Sequence, residues 1–313
     1  MTGTVGSGVK PGGAGSFSDV MADSFWLTAP FYSLIKKRGR KGITFNGEPK
    51  DGHSWTCDDV GYVPDPDNAK SPAGCEVNPT YTPPIPYHNE LQTWFKDSSL
   101  ADEVKAAKGC RVAGLTMKEI QLQKRNEMAQ DIDASLFRED APVASADGIS
   151  PRKMAGVKHY VPASNKIDLG NLALNPDTAV TQALQLLVDN GVKGTYVMVC
   201  GSDVFNDVTT FYNNKVVLNT TDKVGGMDIT SIKNGFGTVE IMNSTRLEKN
   251  EFLIITLEYI GLVTYREYMN KLVSTPSCDA ETRQDLTQQS LQVCPTSVVW
   301  MTNAGRAKVC SDC

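Results

Sequence analysis

The chain has 313 residues, of which 40% are hydrophobic and 21% charged, with a net charge of -5 and a mean hydropathy of -0.27. This is the composition of a folded, soluble protein long enough for two or more subdomains. Its acidity argues against a general nucleic-acid binder, which is usually basic, and no apolar run approaches the ~20 residues needed to span a bilayer.

The first stretch, MTGTVGSGVKPGGAGSFSD, is rich in glycine and reads as a flexible arm through residue 24. It has no apolar h-region, so a secretory signal is not expected. Residues 25–56 mix aromatic and basic side chains, including the only basic cluster, KKRGRK (Lys36, Lys37, Arg38, Arg40 and Lys41). Such a run is a phosphate contact with a polyanion, a solvated face, or an inter-subunit salt-bridge strip. Residues 57–90 are crowded with Pro, Asp, Asn and Gly and lack periodicity, as in a functional or disordered loop.

Thr116 and Glu119 form a capping box that opens a helix expected to run to Glu139. At about 1.5 Å per residue it would be roughly 35 Å long. Its apolar stripe is thin: Ile120, Met128, Ile132 and Leu136. Tertiary packing stabilises most helices, so this one raises the question of what it packs against. Residues 141–176 are broken by Pro142, Pro151, Pro162 and Pro176 into short strands and turns.

A compact α/β pattern follows. Asp177 or Thr178 should cap a helix with apolar residues at Val180, Ala183, Leu184, Leu187 and Val188, ended by Gly191. Thr195 to Cys200 is a buried-strand candidate. Ser202 or Asp203 should start a second amphipathic helix through Val204, Phe205, Val208, Phe211 and Tyr212. Gly237 to Met242, Glu251 to Tyr265 and Thr296 to Thr302 are strand-like. The first half has no self-sufficient core by this reading, which suggests burial against other copies of the chain.

Residues for catalysis are sparse. The three histidines, His53, His88 and His159, fall in no HExxH pattern, and GxSxG, Walker A and paired CxxC zinc motifs are absent from the sequence. Cys200 at a strand end is the best nucleophile position, against the plainer reading of a buried, inert thiol. The terminal CSDC, Cys310 to Cys313, has no following helix to lower a thiolate pKa. No enzyme activity, cofactor or metal is expected.

The order of parts resembles the major capsid proteins of tailed bacteriophages with the HK97-like fold, in a branch without a fused scaffolding domain. HSWTCDD resembles the start of the extended loop, and QKRNEMAQDIDASLFRED resembles the long spine helix. NPDTAVTQALQLLVDNGVKGTYVMVCGSDVFNDVTTFYNN resembles the helix–strand–helix of the axial domain. FGTVEIMNSTRLEKNEFLIITLEYI resembles the strands returning from it, and TSVVWMTNAGRAKV resembles the last strand of the peripheral domain. Residues 57–90 and 266–295 have no clear counterpart.

The resemblance implies an α+β fold in five parts: an arm (1–24), an extended-loop region (25–100), the spine helix and peripheral domain (101–176), an α/β axial domain (177–262), and returning strands with a tail (263–313). It implies a shell of pentamers and hexamers enclosing double-stranded DNA without sequence-specific binding. Such a virion protein is made in host cytoplasm, with scaffold, portal and decoration proteins as partners and no membrane. The basic strip would then meet acidic residues of a neighbouring copy. Of eight cysteines, Cys57, Cys75, Cys278, Cys294, Cys310 and Cys313 become disulfide or cross-link candidates once the particle leaves a reducing cytosol. Their connectivity is open: Cys57 and Cys75 could staple the loop or reach a neighbour. Cys200 is set aside as a core thiol and Cys110 is undecided. The alternatives are an encapsulin-like compartment and a thiol-dependent enzyme centred on Cys200.

Overall fold

The computed structural model describes residues 28–48, 52–57, 85–101, 116–145, 149–213, 220–224, 227–273 and 280–305. The expected arm (1–24) and Cys75, Cys110, Cys278, Cys310 and Cys313 lie outside the described residues.

The centre of the molecule is a seven-stranded mixed sheet. Its strands are β4 (Lys166–Asp168), β5 (Tyr196–Cys200), β6 (Thr220–Val224), β7 (Met227–Asn234), β8 (Gly237–Asn243), β9 (Phe252–Thr256) and β12 (Val298–Thr302), in the order β4-β12-β9-β5-β8-β7-β6. Among the described strands, β12/β4 and β5/β8 pair in parallel. The middle strands are buried on both faces, which explains their unbroken apolar runs YVMVC and FLIIT. Side chains alternate across a strand, so two cores form back to back. Val197, Val199, Leu253, Ile255, Val298 and Trp300 enter one, while Met198, Cys200, Phe252, Ile254, Val299 and Met301 enter the other.

The first core is closed by α1 (Pro30–Arg38) and α2 (Met117–Ser135), with Val157 of the short helix α3 (Val157–Tyr160) added at its margin. Thr116 and Glu119 make the expected capping box, but the regular helix ends at Ser135, four residues short of expectation. Its thin stripe suffices because Met128, Ile132 and Leu136 are each fully buried, against Phe31, Tyr32, Leu34 and Ile35 of α1 and Leu291 and Val293 of a later strand. Ile120 stays half-exposed.

The second core is closed by α4 (Pro176–Asp189) and α5 (Ser202–Asn213), through Val180, Ala183, Leu184, Leu187, Val204 and Val208. The helix expected to be capped at Asp177 or Thr178 starts at Pro176, because proline at the first turn loses no helical hydrogen bond. Its far end stops at Gly191, with φ of 75°.

The expectation that the N-terminal half has no core of its own is corrected for its described residues, whose buried apolar side chains pack within the chain. Two strands from the last third of the chain, β10 (Ile260–Val273) and β11 (Ala280–Val293), join β3 (Gln92–Ala101) of the N-terminal half in a second, three-stranded antiparallel sheet, ordered β10-β11-β3. Charged residues of α2 also meet this sheet. Lys96 lies 2.7 Å from Asp131, and Arg125 lies 3.7 Å from the buried Asp285 while stacking over Tyr268.

Within residues 266–295, which had no clear counterpart, residues 266–273 and 280–293 lie in the antiparallel pair β10 and β11. The strand expected over Thr296 to Thr302 is β12, Val298–Thr302, and it lies in the seven-stranded sheet between β4 and β9, where Val298, Val299 and Met301 find apolar cover on both faces.

Candidate functional site

Two short strands that bracket the proline-rich residues 58–84 in sequence are firmly anchored to the rest of the described chain. β1 (His53–Thr56) and β2 (Pro86–Asn89) pair in antiparallel register on either side of residues 58–84, His53 opposite Asn89 and Thr56 opposite Pro86. The period-2 geometry of β1 turns its odd-numbered residues inward onto the end of β11. His53 Nε2 lies 3.1 Å from Gln292 Oε1, Trp55 Nε1 donates to Val293 O at 3.2 Å, and Cys57 is disulfide-bonded to Cys294 with Cα atoms 5.7 Å apart. Three alternate residues of one segment thus engage three consecutive residues of another.

The protonation of His53 follows from its partners. The backbone N–H of Asn46 donates to Nδ1 at 3.1 Å, so Nδ1 is bare and Nε2 carries the proton given to Gln292. Burial holds its pKa below the usual histidine value, with repulsion from His88 adding to this. The ring is a neutral structural connector, stacked on Trp55 at 5.5 Å.

Asn89 completes the anchor. Its Nδ2 donates to Leu291 O at 2.9 Å and Ala155 O at 3.1 Å, and its Oδ1 accepts from the N–H groups of Ala155 and Glu90 at 2.8 and 2.9 Å. All four hydrogen bonds available to a buried amide are made. Glu90 accepts from Ser290 Oγ through its carbonyl, and Tyr160 donates its hydroxyl to His88 O at 2.6 Å.

The basic strip is divided. Arg38 forks onto Glu240 of β8, with NH1–Oε2 at 2.5 Å and NH2–Oε1 at 2.8 Å, a bidentate pair within the chain. Lys36 Nζ donates to Thr264 Oγ1 at 2.9 Å. Lys41 Nζ donates to Lys36 O. Lys36, Arg40 and Lys41 border a groove of about 260 Å³ between the end of α1 and β10.

Cys200 is fully buried in β5, and desolvation pushes its thiol pKa up, the reverse of what a nucleophile needs. Its sulfur approaches only Met198 O, at 3.8 Å, among the described hydrogen bonds. Among the described residues no group of three or more His, Cys, Asp or Glu could hold a metal, and no helix is long and apolar enough to cross a membrane.

One structural feature had no signal in the sequence: Asp133, inside α2, accepts from the Tyr32 N–H of α1. An acidic residue in mid-helix is ordinary until the partner helix is in place. The Cys57–Cys294 pairing was equally unreadable, since sequence separation says nothing about which strand ends meet.

The family model described as SU10 major capsid protein matches residues 2–304. Among solved structures, the chain is similar to the capsid asymmetric unit of cyanophage A-1(L), with a TM-score of 0.60 at 12% identity over 90% of this chain and 93% of that one. It is similar to Mycobacterium phage Patience, with 0.55 at 10% identity over 93% and 90% of the two chains. The holo-SrpI encapsulin complex of Synechococcus elongatus PCC 7942 matches with 0.52 at 11% identity, over 73% of this chain and 78% of that one. At such identities the structural likeness establishes a shared fold. No curated protein matches the chain.

Proposed function

The chain belongs to the SU10 major capsid protein family, a phage major capsid protein with an HK97-like fold, and from that premise we propose how it builds its shell. Copies close into rings of five and six through heterologous contacts, and the rings close into an icosahedral head around double-stranded DNA. Many weak contacts suffice, because each additional contact in a closed lattice forms at high effective concentration. The acidic balance of the chain keeps a packaged polyanion from adhering to its container.

We carry the five-part division read from the sequence into this proposal and count β4 and β12 with the axial part, a reading supported by their pairing in the seven-stranded sheet. Scaffold, portal and decoration proteins are the expected partners, and the subunit is made in host cytoplasm before entering the virion. The Cys57–Cys294 bond reinforces the subunit internally, while Cys75, Cys278, Cys310 and Cys313 are the remaining candidates for links between copies.

The observation that carries this reading is the family match across residues 2–304. The encapsulin likeness reports the fold alone, whereas the family model is that of a phage capsid. Electron microscopy of the purified full chain tests it. Closed polyhedral shells are expected; a small soluble oligomer under every assembly condition would defeat the proposal.

A further inference from the structure

We infer that the fold sets up Asn46–Gly47, in the segment preceding β1, for intramolecular conversion of the asparagine amide to aspartate and isoaspartate. The chemistry needs only the folded subunit and does not depend on shell assembly.

The chain has three Asn–Gly steps. A glycine after asparagine puts no Cβ in the way of the attacking backbone nitrogen. Two of the steps are built into regular elements. Asn190 is the C-cap of α4, where its N–H donates to Leu186 O at 3.0 Å and the Gly191 N–H donates to Val188 O at 2.9 Å. Asn234 ends β7, opposite Gly237 of β8. Asn46 and Gly47 instead lie outside the helices and strands, and both are exposed.

The surroundings of Asn46 hold its backbone and leave its side chain to move. Its N–H donates to His53 Nδ1 at 3.1 Å, and its carbonyl accepts from the Ser54 N–H at 3.0 Å. The side-chain amide is tied more loosely, with Nδ2 donating to Ser54 O at 3.3 Å. The Ser54 N–H also draws electron density from the Asn46–Gly47 peptide, which eases loss of the Gly47 amide proton. Gly47 itself is required: its φ is 128°, and a Cβ there would come within 2.5 Å of Gly52 O. The fold thus demands the residue that makes this step reactive.

The deprotonated Gly47 nitrogen attacks Cγ of Asn46. The Cγ–Nδ2 bond breaks, ammonia leaves, and a cyclic imide remains. Water then opens the imide at either carbonyl. Opening at Cγ gives aspartate; opening at the main-chain carbonyl gives isoaspartate, with the chain running through Cγ. Water is the only co-reactant, and nothing is oxidised or reduced. Both products lose the Nδ2–H that Ser54 O accepts and gain a carboxylate beside it. Ser54 pairs with His88 in the β1–β2 ladder, so the conversion loosens β1 at that pair.

The test holds unassembled full chain at neutral and at mildly alkaline pH. Peptide mapping by mass spectrometry follows the replacement of NH2 by OH at Asn46 and Asn190, with chromatography separating aspartate from isoaspartate. Asn46 should convert faster than Asn190 by about tenfold or more, a barrier difference of ~1.4 kcal/mol. It should give both products and react faster as pH rises. In urea the two rates should converge, because the Gly191 N–H is then released from Val188 O. Asn46→Gln, whose longer side chain closes the ring poorly, should stay intact, and Asn46→Asp should melt below it. Conversion of Asn46 no faster than that of Asn190 in the folded chain overturns the proposal. Aspartate without isoaspartate also overturns it, since the amide would then be hydrolysed directly. A rate ratio that persists in urea does the same, by showing that the fold plays no part. Equal melting of Asn46→Asp and Asn46→Gln overturns the loosening of β1.

Discussion

Asp133 Oδ1 accepts the backbone N–H of Tyr32 at 2.7 Å, so a carboxylate in the long helix α2 caps the first turn of α1, a hundred residues earlier. α1 has no side-chain cap of its own, since Ala29 occupies the N-cap. An anion there offsets the exposed N–H groups and favours the helix dipole. The carboxyl is fully buried, and desolvation raises its pKa to about 7, against lowering by the Tyr32 N–H, then by the Arg246 charge, then by the Phe31 N–H.

The linkage has a definite sign. The folded subunit holds this proton more tightly than the unfolded chain, whose carboxyl titrates near 3.8. The stabilisation from protonated Asp133 is therefore complete below about pH 4 and lost as pH rises to about 7. A carboxyl pKa that rises from 3.8 to about 7 on folding corresponds to roughly 4 kcal/mol between those limits. Asp133→Asn removes the titration, so relative to wild type it should gain stability between pH 5 and pH 8 (approximate bounds of the window set by the raised pKa). Urea denaturation of unassembled subunits at both pH values checks this. A wild-type-minus-variant difference that does not change with pH would refute it.

Ile132 sits one residue away and is fully buried between α1 and the sheets. Truncating it leaves a cavity in a core where Met128, Ile132 and Leu136 supply the large enclosed side chains of this helix. Ile132→Ala should cost about 3 kcal/mol. Leu122→Ala, on the same helix but half in solvent, should cost well under 1 kcal/mol. Chemical denaturation of the two variants measures the contrast.

The contrast also marks where the sequence was legible. Strands β5 and β9 announce themselves by unbroken apolar runs, and α4 and α5 by a helical period. β11 does not. ETRQDLTQQSLQV is polar by composition, yet Asp285, Thr287, Gln289 and Ser290 are buried. Tyr268 and Asn270 donate to Asp285, and Ser290 donates to Glu90 O. Long-range partners make those residues tolerable in the interior, and no local pattern foretells them. The same holds for β1. There His53, Trp55 and Cys57 alternate inward along a strand of four residues and the position after it, too short a run for periodicity to be read.

Arg38 and Glu240 tie the last turn of α1 to β8 through two parallel hydrogen bonds in a partly buried site. Such a fork depends on planar guanidinium geometry, so Arg38→Lys should recover little of what Arg38→Ala loses. A double-mutant cycle with Glu240→Gln should give a coupling of about 1–2 kcal/mol, beyond the ~0.5 kcal/mol of ordinary surface pairs. Measured on unassembled subunits, a coupling near zero would show that the pair contributes nothing to the fold.

Cys57 and Cys294 lie 237 positions apart, and their bond closes most of the chain into one covalent loop. Constraining so long a loop in the unfolded state stabilises by about 5 kcal/mol in the chain-entropy account. The bond needs an oxidant, so a subunit made in a reducing cytosol should hold both thiols and acquire the link after release. The reduced subunit should keep its fold, because His53–Gln292 and Trp55–Val293 persist beside the cysteine pair. Intact-mass measurement should find two fewer hydrogens in the oxidised subunit than in Cys57→Ser/Cys294→Ser treated alike, after allowing for the substitutions. That variant should melt at the temperature of the reduced wild type and below the oxidised one. Non-reducing gels separate this internal bond from links between copies. Any ladder of oligomers should be unchanged in Cys57→Ser, since its partner is in its own chain. A ladder that vanishes in that variant would mean that Cys57 reaches a neighbouring subunit.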